Sequence, residues 1–113
     1  MGATFYLICL FTATGFIFIA LGLPLKNGRV KPNIWYGFRT RKTLSNDDIW
    51  YTVNRVTGTD MIYGGSAILA SCAVLAAVGN WLPVEAVTAI LLAVTLGATA
   101  WMVFSGLAQL RKL

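Results

Sequence analysis

The stretch MIYGGSAILASCAVLAAVGNWLPV, residues 61–84, decides the fold because it contains no charged side chain. A run of this length suits a transmembrane helix, since about 20 apolar residues cross the hydrocarbon core of a bilayer. On either side, residues 2–25 and residues 86–110 are also free of charged side chains. The sequence therefore predicts an all-α membrane protein with three transmembrane helices.

The composition agrees with a membrane location. Hydrophobic residues make up 58% of the 113 residues and charged residues only 12%, whereas soluble domains carry about 25% charged residues. We predict one membrane domain with spans at about 3–25, 58–80 and 84–110, and a cytoplasmic loop and interfacial helix at 26–57. The first span is interpreted as a retained helix, because it lacks the basic start of a signal peptide.

The basic residues predict the orientation. They lie between the first two spans and after the third: Lys26, Arg29, Lys31, Arg39, Arg41, Lys42, Arg55, Arg111 and Lys112. The turn between the second and third spans has no lysine or arginine. The positive-inside rule therefore places the long loop and the C-terminus in the cytoplasm and the N-terminus outside.

The loop is expected to be ordered and to lead into an interfacial helix. Asn27 and Gly28 favour a turn after the first span. Ser45 is a candidate N-cap with Asp48 three residues later, and Asp47 and Asp48 suit the positive end of a helix dipole. A helix should begin near Ser45 and either run straight into the second span or bend near Gly58.

Two further features leave alternatives open. Ala89, Ala93 and Gly97 form a row of small residues in the third span, which lets helix backbones approach closely. We favour packing within the chain over a homodimer seam, and a homo-oligomer stays possible. Cys9 and Cys72 are interpreted as small packing residues, with a disulfide between them left open.

The sequence offers little for catalysis. It contains no histidine, the commonest general base and metal ligand, and no CxxC, Walker or GxGxxG pattern. We therefore expect no enzyme activity, no metal, no cofactor and no nucleic-acid partner. A small transporter is a less favoured alternative, because the spans carry no charge at their centres.

The segment NIWYGFRTRKTLSNDDIWYTVNRVTG, residues 33–58, holds most candidate binding groups. Its pattern is carried by Asn33, Tyr36, Gly37, Phe38, Arg39, Thr40, Thr43, Leu44, Asp47, Asp48, Trp50, Asn54, Arg55 and Gly58. In this pattern and in the arrangement of one span before it and two after, the chain resembles the SdpI family of bacterial membrane proteins. The resemblance implies a multi-pass protein of the bacterial cytoplasmic membrane.

The resemblance also implies a binding function. The name-giving member of the SdpI family confers immunity to a secreted sporulation-delay toxin and holds an autorepressor protein at the membrane. An immunity or signal-relay protein, or a small accessory subunit of a membrane complex, is the function that this implies. The partner would be another protein, either embedded in the membrane or cytoplasmic.

Two interpretations of the loop follow from its residues. A lipid anchor would use aromatic rings and basic side chains at anionic headgroups: Lys26, Arg29, Lys31, Trp35, Arg41, Lys42 and Tyr51. A partner-binding face would be organised by a second set: Asn33, Tyr36, Gly37, Arg39, Thr40, Trp50, Asn54, Arg55 and Asp60. In this set Asp60 is expected to pair with Arg39 or, as second choice, with Arg55, because a lone charge at a span is costly.

Overall fold

The computed structural model describes residues 2–113, which are almost entirely helical. The elements are α1 (Ala3–Lys26), α2 (Arg41–Ser45), α3 (Asp47–Val78), a 3-10 turn (Gly79–Trp81) and α4 (Val84–Arg111). Three of them, α1, α3 and α4, are long and apolar enough to cross a membrane. The predicted all-α architecture with three membrane-spanning helices is confirmed.

The packing of α1 against α3 depends on paired glycines. A Cβ added to Gly22 would lie 2.7 Å from the Gly58 carbonyl oxygen, and one added to Gly65 would lie 2.6 Å from the Gly15 oxygen. Such short distances mean that the two backbones touch, as small residues allow in membrane helices. The pairs Gly15–Gly65 and Gly22–Gly58 make α1 and α3 antiparallel, and we call them the glycine seam.

The apolar core lies in the half of the bundle that contains the turn between α3 and α4. Its buried residues come from all three long helices: Phe11, Ile68, Cys72, Leu75, Val87 and Leu91. Cys72 is part of this core, whereas Cys9 is exposed, and both thiols are free. Packing explains Cys72 as expected, but Cys9 lies on the outer surface.

The start of α3 differs in detail from the prediction. Asn46, not Ser45, caps the helix, and its side-chain oxygen accepts a hydrogen bond from the Ile49 N–H at 3.2 Å. Ser45 instead ends the separate helix α2. Asp47 and Asp48 occupy the first turn of α3, as predicted. The helix then continues without interruption through Gly58, so it runs straight into the span.

The small-residue row of α4 does not pack inside the described part of the chain, so the expectation of packing within the chain was wrong for this row. The small residues Gly64 and Gly65 of the second span do pack within the chain, against α4 and α1. Ala89 and Ala93 are exposed, and an added Cβ on Gly97 would meet no atom within 4 Å. The reason is the rotation of successive residues around the helix axis. Val87 and Leu91 are fully buried, and a residue two positions further along a helix points about 200° away.

Candidate functional site

The segment 27–46 folds back onto the bundle at one end, which we call the loop end. Gly28 has a φ of +69°, and the Arg29 N–H donates to the Pro24 carbonyl at 2.9 Å, which closes the turn predicted after α1. The Arg55 side chain covers Gly28, because an added Cβ there would lie 3.3 Å from its guanidinium. Arg55 therefore contacts the loop.

Asn33 organises the first part of the loop. Its side-chain oxygen accepts hydrogen bonds from the N–H groups of Trp35 at 2.8 Å and Tyr36 at 2.9 Å. Its side-chain nitrogen donates to the Lys31 carbonyl at 2.7 Å. An asparagine side chain commonly stabilises a turn in this way. The Arg39 guanidinium donates to the Ile34 carbonyl and adds a second connection across the same turn.

Asn54 on α3 holds the centre of the loop. Its side chain is 1% exposed, and its Oδ1 accepts a hydrogen bond from the Phe38 N–H at 2.6 Å. Its Nδ2 donates to the Trp50 carbonyl at 2.9 Å and lies 3.4 Å from the Phe38 carbonyl oxygen. A buried amide whose donor and acceptor both have partners adds stability rather than cost. Asn54 therefore fixes the backbone of Phe38 against α3.

Gly37 is the residue that permits this approach. Its φ is +110°, a backbone conformation that side chains disfavour. An added Cβ would lie 2.8 Å from the Asn54 Oδ1 and 3.1 Å from the Trp50 ring. Only glycine fits between these two buried side chains, so Gly37 lets the loop backbone lie directly against α3.

Trp50 connects α3 to the start of the loop. The ring is completely buried, with 0% of its surface exposed. Its Nε1–H donates a hydrogen bond to the Val30 carbonyl at 2.9 Å. Trp50, Asn54 and Gly58 follow one another at intervals of four residues and so share a face of the helix, and all three are buried. This face of α3 supports the loop and the glycine seam.

Helix α2 is held by a capping box. The Thr43 N–H donates to the Thr40 Oγ1 at 3.1 Å, and the Thr40 N–H donates to the Thr43 Oγ1 at 2.8 Å. The Thr43 hydroxyl also lies 3.0 Å from the Phe38 carbonyl oxygen, and the residue is fully buried. We did not predict Thr43 as a site residue, although a threonine three residues after a capping threonine is a recognisable signal.

The loop also contacts α4, which sequence reasoning missed. An added Cβ on Gly106 would lie 2.7 Å from one carbon of the Phe38 ring and 2.9 Å from another. The Phe38 ring therefore lies directly against the α4 backbone. The Lys42 Nζ donates to the Leu110 carbonyl at 3.2 Å near the end of α4, where a cation is favourable.

Asp60 does not have the partner that we predicted. Its Oδ1 accepts a hydrogen bond from the Trp101 Nε1–H on α4 at 3.3 Å. Its Oδ2 is buried and has no hydrogen-bond partner among residues 2–113. Arg39 donates instead to the Ile34 carbonyl, and Arg55 covers Gly28. The carboxylate faces α4, not the loop, because α4 passes this side of α3.

Replacing Asp60 with asparagine should therefore leave the loop intact. The amide keeps an oxygen for the Trp101 indole and removes a buried carboxylate with only one hydrogen bond. Because a charge within a membrane helix costs up to about 3 kcal/mol, we expect Asp60→Asn to raise the unfolding temperature in detergent. Trypsin should cleave the loop at an unchanged rate. Faster cleavage of the loop would show that Asp60 holds it after all.

Several side chains of the loop remain free for other contacts. Trp35 is 82% exposed and Ile34 is 69% exposed. Most residues that we predicted to face lipid headgroups are also exposed: Lys26, Arg29, Lys31, Arg41 and Lys42. Tyr51 is only partly exposed. We call Ile34, Trp35, Lys31 and Arg41 the loop face.

The polar side chains at the loop end are used mainly to hold the loop backbone. Among residues 2–113, no group of three histidine, cysteine, aspartate or glutamate side chains is placed to hold a metal ion. The polar side chains that were brought together, chiefly Asn54, Thr40 and Thr43, make hydrogen bonds to backbone groups of the loop. These residues organise the loop, and its other side chains include several that are exposed.

Comparison with known proteins gives one match. A family model described as the SdpI/YfhL protein family matches residues 29–106, which include the loop, α3 and most of α4. No curated protein and no solved structure matches the chain. The matched region contains Val30 and Phe38, whose backbone groups are hydrogen-bonded to Trp50 and Asn54 of α3.

Proposed function

Because the chain belongs to the SdpI/YfhL protein family, we propose that it is a non-enzymatic membrane protein that binds a partner protein through its loop face. The role would be immunity or signal relay, or that of a small accessory subunit of a membrane complex. The observation that supports this is the fixed loop backbone, which presents Trp35 with 82% of its surface exposed.

A loop that only anchors the chain to lipid has no need of this internal structure. Exposed rings and basic side chains suffice at the headgroup layer. Here the fully buried Trp50 and the buried Asn54 and Thr43 are used to position loop backbone. A surface that is already ordered loses less conformational entropy on binding, so this arrangement favours recognition of a partner.

The charge of the loop indicates the chemistry of the partner. Residues 26–46 contain six lysines and arginines and no aspartate or glutamate. We expect an acidic surface on the partner, since complementary charge speeds and orients association. Trp35 would provide an apolar anchor, because exposed tryptophans are often the residues on which an interface depends.

The proposed location is the bacterial cytoplasmic membrane with the loop end in the cytoplasm. Support comes from the lysines and arginines, which lie in the loop, in the first three turns of α3 and at the C-terminus, with none in the turn between α3 and α4. The exposed basic side chains also support a second candidate, a lipid anchor that binds anionic headgroups. Partner binding predicts that loss of the Trp35 side chain reduces the amount of bound protein, whereas a lipid anchor predicts that it does not.

Replacing Trp35 with alanine tests the proposal, with Trp81→Ala as a matched control. Trp81 is equally exposed, at 85%, but lies at the opposite end of the bundle. We expect Trp35→Ala to weaken partner binding by about 30-fold, as removal of an interface hot spot does. Proteins recovered with the wild type and with Trp81→Ala, quantified by mass spectrometry after mild-detergent purification, should be depleted with Trp35→Ala.

The same experiment distinguishes the lipid anchor. If the loop only binds headgroups, both tryptophan variants should recover the same proteins as the wild type. That result, with both variants folded and in the membrane, would contradict the proposed partner binding.

A further inference from the structure

A cleft of about 300 Å³ lies beneath the loop, between α1 and α4. Its floor is formed by Thr57 and Met61 of α3, and its sides include Leu21 of α1 and Met102 of α4. Residues 35–39 of the loop complete the lining. Methionine and leucine side chains make the walls apolar and adaptable.

The floor of the cleft contains a hydrogen-bond donor without a partner. Thr57 is only 6% exposed, and its Oγ1 has no hydrogen-bond partner among residues 2–113. Hydroxyls elsewhere in the same helix donate to the carbonyl four residues earlier, as Thr59 does to Arg55 and Ser66 does to Ile62. A buried polar group without a partner costs free energy, so the Thr57 hydroxyl is suited to a ligand acceptor.

A second donor lies at the loop side of the cleft. The Arg39 guanidinium uses one N–H group for the Ile34 carbonyl, and the side chain is exposed. An arginine has five N–H donors, so most of them are available for an anion. No aspartate or glutamate lies among residues 35–39 or elsewhere in the cleft lining.

We propose that this cleft binds one anionic glycerophospholipid. Its phosphate would accept hydrogen bonds from Arg39, an ester carbonyl would accept one from the Thr57 hydroxyl, and an acyl chain would lie against Leu21, Met61 and Met102. Such a lipid offers only acceptors at its phosphate and esters and is apolar below them, which matches two donors above apolar walls. The Arg39 guanidinium can only donate hydrogen bonds and carries a positive charge, so an anionic phosphate suits it better than a neutral peptide does.

The test uses the full chain in a neutral detergent after removal of native lipid. Phosphatidylglycerol and phosphatidylcholine with identical acyl chains are added, and bound lipid is counted by native mass spectrometry. We expect one phosphatidylglycerol per chain, with binding about tenfold weaker in Arg39→Gln and also weaker in Thr57→Val. Arg111→Gln removes the same charge from an exposed residue outside the cleft and outside the loop face, so this variant should bind as the wild type does.

Each other outcome would overturn the proposal. Equal losses in Arg39→Gln and Arg111→Gln would show general attraction of anions to the basic residues of the chain. Equal binding of phosphatidylcholine would show that Arg39 does not select the headgroup. Full competition by water-soluble glycerophosphoglycerol would show a phosphate site without a lipid chain. A dimer free of lipid would show that a second copy fills the cleft. If Arg39→Gln disturbs the loop, Thr57→Val still tests the proposal, because unchanged phosphatidylglycerol binding in this variant would contradict it.

Discussion

Replacing Gly58 with alanine is expected to force α1 away from α3. A Cβ at this position would lie 2.5 Å from the Gly22 carbonyl oxygen and 2.9 Å from the Leu25 Cβ. A rotamer change cannot relieve a contact with backbone, so the two helices must separate. Overpacking of this kind costs about 1–3 kcal/mol, and the loss should appear as a lower unfolding temperature of the purified chain in detergent.

Gly97→Ala is the matched control for this prediction. Gly97 lies within α4, and an added Cβ there would meet no atom within 4 Å. The variant should be as stable as the wild type or more stable, because alanine favours a helix over glycine by up to about 1 kcal/mol. Equal unfolding temperatures for the two alanine variants would contradict direct backbone contact in the glycine seam.

Replacing Asn54 with leucine is expected to release the loop while the three long helices stay packed. Leucine has the same branched shape and the same number of heavy atoms, although it is larger. It leaves the Phe38 N–H, now bonded to Asn54 at 2.6 Å, without its acceptor. An unsatisfied buried polar group costs about 1–3 kcal/mol. The few hydrogen bonds that remain would have to offset this cost, so the loop should open more often.

Limited proteolysis measures the release. Trypsin should cleave Asn54→Leu faster than the wild type at Arg29, Arg39 or Arg41, while the helical circular dichroism stays close to that of the wild type. Thr59→Val is a suitable control, because the Thr59 hydroxyl bonds only within its own helix, to the Arg55 carbonyl. Similar cleavage rates in Asn54→Leu and Thr59→Val would show that Asn54 does not hold the loop.

The sequence was sufficient for the number of spans, because long uncharged runs have few alternatives to a membrane helix. It was not sufficient for how the helices pack. Gly15 and Gly22 are seven residues apart and share a face of α1, but their spacing does not show that α3 packs against this face. The row of Ala89 and Gly97 in α4 looked like a packing seam and faces outward. Spacing shows which residues share a face but not what that face meets.

At the candidate site, too, the sequence predicts which residues share a helix face but not which residues of other helices they contact. The common face of Trp50, Asn54 and Gly58 followed from helical spacing and is the buried face that supports the loop. The partner of Asp60 could not be derived, because it depends on the rotation of α4 that brings Trp101 alongside. The shared face can be derived from the spacing of residues on one helix. The hydrogen bond between Asp60 and Trp101 cannot, because it joins residues that are 41 positions apart on different helices.

Hydrogen exchange at the Phe38 amide tests the central claim most directly, namely that α3 holds the loop as a folded surface. This N–H is bonded to the buried Oδ1 of Asn54, so it should exchange far more slowly than an amide of an open loop. Residue-resolved exchange of the wild-type chain in detergent should show Phe38 protected to a degree approaching the amides of α3 itself. Exchange of Phe38 as fast as in an unstructured peptide would contradict the account.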